Sequence, residues 1–373
     1  VITPKIILNG RFLLQNITGV QRVEREILVA LDKLAKEGII EVPEVILPEK
    51  GEIIAPPRLE VIKLTRKGSL SGHLWEQFQL PKYCNSKTLW CLGNTAPVLS
   101  LMSSKQKVVT MIHDLSYKYF PSAYNWKFKA FYSALIPLEL AKSDVVVTVS
   151  NAEKSAILKH YPKLNNTNIL FSAQNGGIPD ERSTLEFNSS IVPIEDRNYG
   201  IYVGSLSKRK NAEGVLSAAV KFLQTYKNMK FVVIGSSSGV FDSFDVDIPE
   251  DVKDRLEMRG QVNDPEEIYK AFAKARFLLF PSFYEASPLP PIEAMTFGCP
   301  VISSSIPSLQ ERCGDAAIYC DANDQQTITQ SIDMLMASDD LWKKLSLEGS
   351  KKASEYSWKQ QTETLLKLSG LSL

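Results

Sequence analysis

The sequence predicts an α/β protein of two lobes, each built on a parallel sheet with helices over both faces. Three observations predict it. The chain has 373 residues, and at roughly 100–200 residues per domain that is two domains. Short apolar runs alternate with helix-period segments along most of its length, the rhythm of parallel strands joined by helices. One aperiodic stretch, Asn175 to Asn198, rich in Gly, Pro, Ser, Asn and Asp, interrupts the rhythm, which then restarts.

In chain order, Lys5–Leu8 (KIIL) is a short apolar strand that stops at Asn9-Gly10. Thr18 to Lys36 follows as a helix, because Val20, Val23, Ile27, Leu31 and Leu34 recur three or four apart. Further strands are predicted at Glu44–Leu47, Arg58–Leu64, Thr88–Cys91, Lys107–Ile112 and Asp144–Val149. Helices fall at Phe128–Lys142 and Ala152–Lys159, the latter opened by Ser150-Asn151-Ala152-Glu153, which reads as a capping box. After the aperiodic stretch come strands at Tyr199–Val203, Phe231–Ile234, Leu256–Arg259, Arg276–Phe280 and Val301–Ser303. The accompanying helices are Asn211 to Lys227, Asp264 to Lys274, Pro290 to Phe297 and Asp324 to Met336. The domain boundaries are therefore 1–176, a linker at 177–198, and 199–355.

Composition narrows the class. Charged residues are 23% and hydrophobic residues 44%, which excludes a disordered chain, a collagen-like repeat and a coiled coil. No apolar run approaches the ~18 residues of a membrane-spanning helix; Ala130 to Val149 is broken by Pro137, Glu139, Lys142 and Asp144. The start, VITPKIILNGRF, lacks a basic n-region and a small-residue cleavage site. Five cysteines (Cys84, Cys91, Cys299, Cys313, Cys320) form no C-x-x-C pair and read as free thiols of a reducing compartment. A cytoplasmic protein is expected. The net charge of +1 divides unevenly: residues 1–175 hold 22 Lys+Arg and 14 Asp+Glu (+8), and 176–373 hold 21 and 28 (−7). A basic first half suits an anionic ligand or membrane surface, or is plain surface composition.

The most informative segment is Phe280–Val301, FPSFYEASPLPPIEAMTFGCPV. A buried strand ends at Pro281, a loop follows, and a helix opens at Pro290-Pro291, where a missing N–H costs nothing. Glu285 thus lies in a loop at a strand's carboxyl end, and Glu293 in the next helix's first turns. In an open parallel sheet that edge is where ligands bind. The helix start also offers amide donors to a diphosphate, at Leu289, Ile292 and Glu293. The context Y-E-x₃-L-P-x-x-E-A-M-x-x-G-x-P-V resembles that of family-4 retaining glycosyltransferases, whose E-x₇-E motif occupies such a strand–loop–helix.

Further segments follow the family's order over nearly the whole chain. Tyr202–Asn211 (YVGSLSKRKN) is similar to its V-G-x-L-x-x-R-K-N phosphate-binding turn, with Arg209 and Lys210 as the cations that neutralise a departing diphosphate. Ser205 stands where some members carry arginine. Phe231–Gly235 (FVVIG) resembles the strand-to-loop turn near the nucleotide, and Gly260-Gln261-Val262 the segment whose backbone meets the base. Thr18-Gly19-Val20-Gln21-Arg22 resembles the glycine loop near the donor phosphates. His113, after the strand VVTMI, matches the family's histidine facing the donor sugar; a purely structural histidine is the alternative. One departure stands out. Where many relatives read E-G-F-G-L-P, this chain reads Glu285-Ala286-Ser287-Pro288-Leu289-Pro290, and Pro288 has no amide to donate.

The resemblance implies the GT-B fold, two facing Rossmann-like domains with an interdomain cleft. Tyr356 to Leu368 would lie in a closing helix, within 356–373, that packs back on the first domain. It implies a retaining hexosyltransferase of the bacterial polysaccharide or mannosyltransferase type. Donor would bind the second domain, and a glycan or lipid-linked acceptor would meet the first. Glu285, His113 and Lys210 would be catalytic. Gly19, Arg209, Lys210, Leu289, Ile292, Glu293, Gly235 and Val262 would bind donor, with Glu293 on the ribose hydroxyls. A UDP-sugar is favoured over GDP-mannose. No cofactor, metal or nucleic acid is expected, and the D-x-D match Asp245-Val246-Asp247 reads as a solvated acidic loop. The segment YKYFPSAYNWKFKAFY, with Lys118, Lys127 and Lys129 among aromatics, suits either the rim of an anionic membrane or a helix packed on its own lobe. The competing functions are a nucleotide-sugar epimerase of the same fold and a non-catalytic sugar-nucleotide binder. A dehydrogenase is disfavoured, since no G-x-G-x-x-G follows a strand.

Overall fold

The computed structural model describes residues 6–84, 87–179, 192–236 and 246–371. The chain divides into two compact units. The first joins Val1–Gly176 to Trp358–Leu373, and the second is Gly177–Ser357.

The first unit carries a seven-stranded sheet of β1 (Ile6–Asn9), β2 (Glu44–Leu47), β3 (Leu64–Arg66), β4 (Thr88–Cys91), β5 (Val108–Ile112), β6 (Val145–Thr148) and β7 (Leu170–Ser172). Its order is β3-β2-β1-β4-β5-β6-β7, and every pairing is parallel. The central strands are buried throughout, as the continuous Val/Ile/Leu runs of a doubly covered sheet require. Helix Gly19–Lys36 packs against helix Trp358–Leu368. The seat for that last helix is Gly176, where a Cβ would stand 2.5 Å from the Trp358 ring. Gln361 completes the join, donating to Ala173 O (3.2 Å) and Asn175 Oδ1 (3.0 Å).

The second unit repeats the plan with β8 (Tyr199–Val203), β9 (Lys230–Ile234), β10 (Leu256–Gly260), β11 (Ala275–Phe280), β12 (Val301–Ser304) and β13 (Ala317–Cys320). The order β10-β9-β8-β11-β12-β13 is again all parallel. Both sheets thus grow outward from their first strand and reverse beside it, the doubly wound pattern. Ile178 and Ile194, from the stretch expected to be linker, join this unit's core. Beneath the sheet Arg197 is buried against the Trp342 ring at 5.0 Å and donates to the carbonyls of Ala275 (2.9 Å) and Phe297 (3.0 Å).

Several expectations are corrected. The strand expected at Arg58–Leu64 begins only at Leu64, because the Asp32 carboxylate takes the amides of Glu60, Val61 and Ile62 at 2.7–3.0 Å. Strands β7 and β13 were not expected, nor were helices Gly72–Phe78, Pro307–Cys313 and Asp339–Ala353. Ser150 does cap its helix by accepting from Glu153 N, while the Glu153 carboxylate accepts from Leu115 N (2.9 Å). The aromatic–lysine segment divides by face. Tyr124, Phe128 and Tyr132 stack at 4.8 and 4.1 Å against the first unit's core, whereas Trp126 is 71% exposed beside Lys127. Among the described residues no helix is long and apolar enough to cross a membrane.

Candidate active site

The carboxyl ends of β8, β9 and β11 converge in the second unit. β8 and β9 run so close there that a Cβ on Gly235 (φ +149°) would lie 1.9 Å from Gly204 O, so only glycine fits. Gly235 N donates to Gly260 O (2.7 Å), which ties the end of β10 to the same edge; Val262, just beyond, packs on the core. From Gly204 the chain passes through one short helical turn, Lys208–Lys210, before helix Ala212–Thr225 begins.

That turn meets the loop after β11. Lys210 Nζ stands 2.9 Å from Glu285 Oε1, and Arg209 donates to Glu285 Oε2 at 3.1 Å and to Tyr284 O at 2.9 Å. Ser282 adds a third donor at 3.3 Å. Burial alone would raise the Glu285 carboxyl, but the charges of Lys210 and Arg209 outweigh it and hold it below the ordinary carboxylate range. The arrangement is a buried, ionised carboxylate on a two-cation platform at the sheet's ligand edge.

The helix Pro290–Thr296 adds less than its sequence suggests. It has seven residues, two of them opening prolines, and Glu293 N already donates to Leu289 O at 3.0 Å. Glu293 is therefore not the amide donor expected there, and its side chain is buried. Leu289 and Ile292 are buried beside it. Behind the loop, helix Pro307–Cys313 holds the carbonyls: Ser308 Oγ donates to Glu285 O, and the buried Arg312 Nε to Pro288 O at 2.6 Å. Pro288, which has lost its donor, is thus held by its acceptor.

His113 and Gly19 lie in the first unit. His113 is buried after β5, its amide on Asn94 Oδ1 (2.6 Å) and its Nε2 2.7 Å from Leu92 O. Burial lowers its pKa and keeps the ring neutral, and a proton on Nε2 leaves Nδ1 as the acceptor. Gly19 opens its helix after Thr18, and a Cβ there would meet nothing within 4 Å. Near the strand-order reversal between β1 and β4 stands a polar network that sequence reasoning missed. Arg11 donates to Glu76 (2.9 Å) and Thr95 (3.0 Å), and Asn9 donates to Glu76 (2.8 Å). Glu24 is buried against Gly93 with Oε2 unpartnered; burial, outweighing nearby Arg11, pushes its carboxyl up to about 8. Also missed were Asn211, Ser308 and Arg312. Of these only Asn211 had left a signal, as the last residue of the turn Tyr202–Asn211 and an asparagine at a helix start, yet it was given no role of its own.

Among the described residues no group of three His, Cys, Asp or Glu side chains is placed to hold a metal ion. Asp245 lies outside the described residues, and Asp247 is exposed.

Residues 185–352, which include Arg209, Lys210, Glu285 and Glu293, match the family described as Glycosyl transferases group 1. The second unit is a glycosyl transferases group 1 domain. Relatives of the chain include O-antigen chain mannosyltransferase B of Escherichia coli, 28% identical over 272 residues, 69% of this chain and 68% of that protein. O-antigen chain mannosyltransferase RfbU of Salmonella typhimurium is 24% identical over 258 residues, 68% and 66% of the two. Among solved structures, WaaG, a glycosyltransferase involved in lipopolysaccharide biosynthesis, has a TM-score of 0.70 at 16% identity over 98% of this chain and 100% of its own. Anabaena HepE, in complex with UDP and glucose, gives 0.68 at 12% identity over 98% of each. The fold is accordingly GT-B, with the group 1 domain as its second Rossmann-like unit.

Proposed function

We propose that this glycosyltransferase moves a hexose, with retention, from a nucleoside diphosphate sugar to a glycan or lipid-linked acceptor in cell-surface polysaccharide synthesis. The observation that carries the reading is the Arg209–Lys210–Glu285 cluster at the carboxyl edge of the second sheet. As the anomeric C–O bond to the donor breaks, negative charge collects on the diphosphate and positive charge on the sugar. Two cations held in place stabilise the first. Glu285, kept ionised by those cations, orients the sugar and stabilises the second, in the oxocarbenium-like state of glycosyl transfer. The acceptor oxygen attacks from the face the diphosphate leaves, and its proton passes to a diphosphate oxygen, so the configuration is retained. Glu293 holds the ribose.

For the sugar, the names of the two O-antigen relatives favour mannose, hence GDP-mannose, over the UDP-sugar read from sequence. For the acceptor, the +8 first half and the exposed Trp126–Lys127 pair fit a lipid-linked glycan at the cytoplasmic face of an anionic membrane.

A thermal-shift panel of GDP, UDP and ADP tests the reading. A ligand at ~100 Kd adds roughly 2.7 kcal/mol to stability, and one nucleotide should raise the melting point in wild type and distinctly less at the same concentration in Lys210→Ala. No shift with any diphosphate would refute it. Anomeric NMR of the product from the matching sugar donor then tests retention.

A further inference from the structure

We infer that Asn211 is a positioning residue that sets Arg209 and Lys210 against Glu285, an inference resting on the donor-site reading above. Asn211 is left-handed, at φ 56° and ψ 47°, a conformation asparagine tolerates better than most residues. This reverses the chain between the short turn Lys208–Lys210 and helix Ala212–Thr225. Its side chain is buried and engaged at both ends. Oδ1 accepts from Gly214 N (3.1 Å), capping the helix; Nδ2 donates to Pro281 O (3.1 Å) and Ala322 O (2.9 Å). Pro281 opens the loop that carries Glu285, and Ala322 lies just past β13.

One amide thereby fastens the cation turn to the ends of two other strands. Nearer the site the same two loops meet through Phe283 N to Arg209 O (3.0 Å) and Arg209 to Tyr284 O. Asn211 is the buried anchor of that seam. Gly214 makes room for it: a Cβ there would fall 2.6 Å from both Nδ2 and Oδ1. Helix capping alone needs only the oxygen, which Asp or Ser supplies. The two donated bonds need the amide, and they reach 70 and 111 residues along the chain. Cations fixed before the diphosphate arrives need no reorganisation at the moment of reaction, and a displacement of ~1 Å costs on the order of 10²-fold in rate.

Asn211→Gly keeps the backbone conformation and deletes the clamp; Asn211→Asp keeps the cap and deletes the two donated bonds. Both should weaken binding of the nucleotide chosen by the panel by tenfold or more, by titration calorimetry. In a Lys210→Ala background, titrated at the higher nucleotide concentrations that variant needs, the same changes should cost clearly less than in wild type, because Arg209 alone of the pair is left to position. A readout without nucleotide accompanies these. Timed acetylation with acetic anhydride, read by mass spectrometry against Lys208, should modify Lys210 several-fold faster in both variants. Equal acetylation rates, or losses that are the same with and without Lys210, would overturn the positioning role and leave Asn211 as a helix cap. Wild-type protein that binds no diphosphate would overturn the donor reading alone, while the acetylation rates still decide the placement of Lys210.

Discussion

Glu24 is expected to make the stability of the first unit fall with rising pH. Its carboxyl is raised from 4.5 to about 8, chiefly by burial, with Glu76 adding to the rise and Arg11 and Arg25 opposing it. Below pH 4.5 both the folded and unfolded chains hold the proton. Between 4.5 and 8 the folded chain keeps a proton that the unfolded chain releases, so stability declines with pH and levels off above 8. Each pH unit inside that window is about 1.36 kcal/mol, so pH 5.5 to 7.5 removes roughly 2.7 kcal/mol. For a unit of this size that is roughly 5–11 °C in melting temperature. Glu24→Gln keeps the shape and removes the titration. Melting followed by intrinsic fluorescence suits the test, since Trp75, Trp90, Trp126 and Trp358 lie in the first unit and only Trp342 in the second. Other titrating groups contribute alike to both proteins, so the difference in slope isolates Glu24. Parallel plots of melting temperature against pH for wild type and Glu24→Gln would refute the reasoning.

Three further outcomes are expected. Lys210→Ala should lower turnover by ~10²-fold or more, and Glu285→Ala should be as severe and should also lower the melting temperature, because Lys210 and Arg209 lose their buried partner; near-wild-type turnover from folded Glu285→Ala removes it from the site. Turnover should persist in excess EDTA, and Asp245→Asn with Asp247→Asn should stay within a few-fold; activity lost to EDTA and restored by Mn²⁺ would contradict a metal-free mechanism. The protein should sediment with anionic vesicles at low salt and less at high salt, with Trp126→Ala and Lys127→Ala weakening the association; no binding at low salt favours a soluble acceptor.

The fold was legible where elements are buried on both faces. Glu44–Leu47, Thr88–Cys91 and Tyr199–Val203 read directly because apolar runs between breakers have few other uses. The apolar alternation near Val61 misled, since the group that takes those amides, Asp32, sits about thirty residues earlier. Helix Asp339–Ala353 was obscured by its own packing. Ser346 and Gly349 face inward, and a Cβ on Gly349 would already stand 3.1 Å from the Met295 side chain, so the apolar stripe has gaps. In the site, the chemistry-bearing side chains were legible one by one. Their mutual engagement was not, because Glu285 draws both cations from 75 and 76 residues away and Arg312 reaches back over 24 to Pro288. Charge type can be read from sequence; who neutralises whom cannot.

The seat of Trp358 on Gly176 sets an order of events during synthesis. The second unit is one uninterrupted stretch and can close as soon as it has left the ribosome. The first unit begins earlier yet ends later. Its opening helix waits for Trp358–Leu368, and Lys107 for the carbonyl of Ser369, 262 residues on. Until then the groove that receives Leu365 and Leu366 stays uncovered, an apolar surface open to wrong partners. The unit made first is the unit finished last, and a released chain that ends shortly before residue 358 should hold a folded second unit and an incomplete first one.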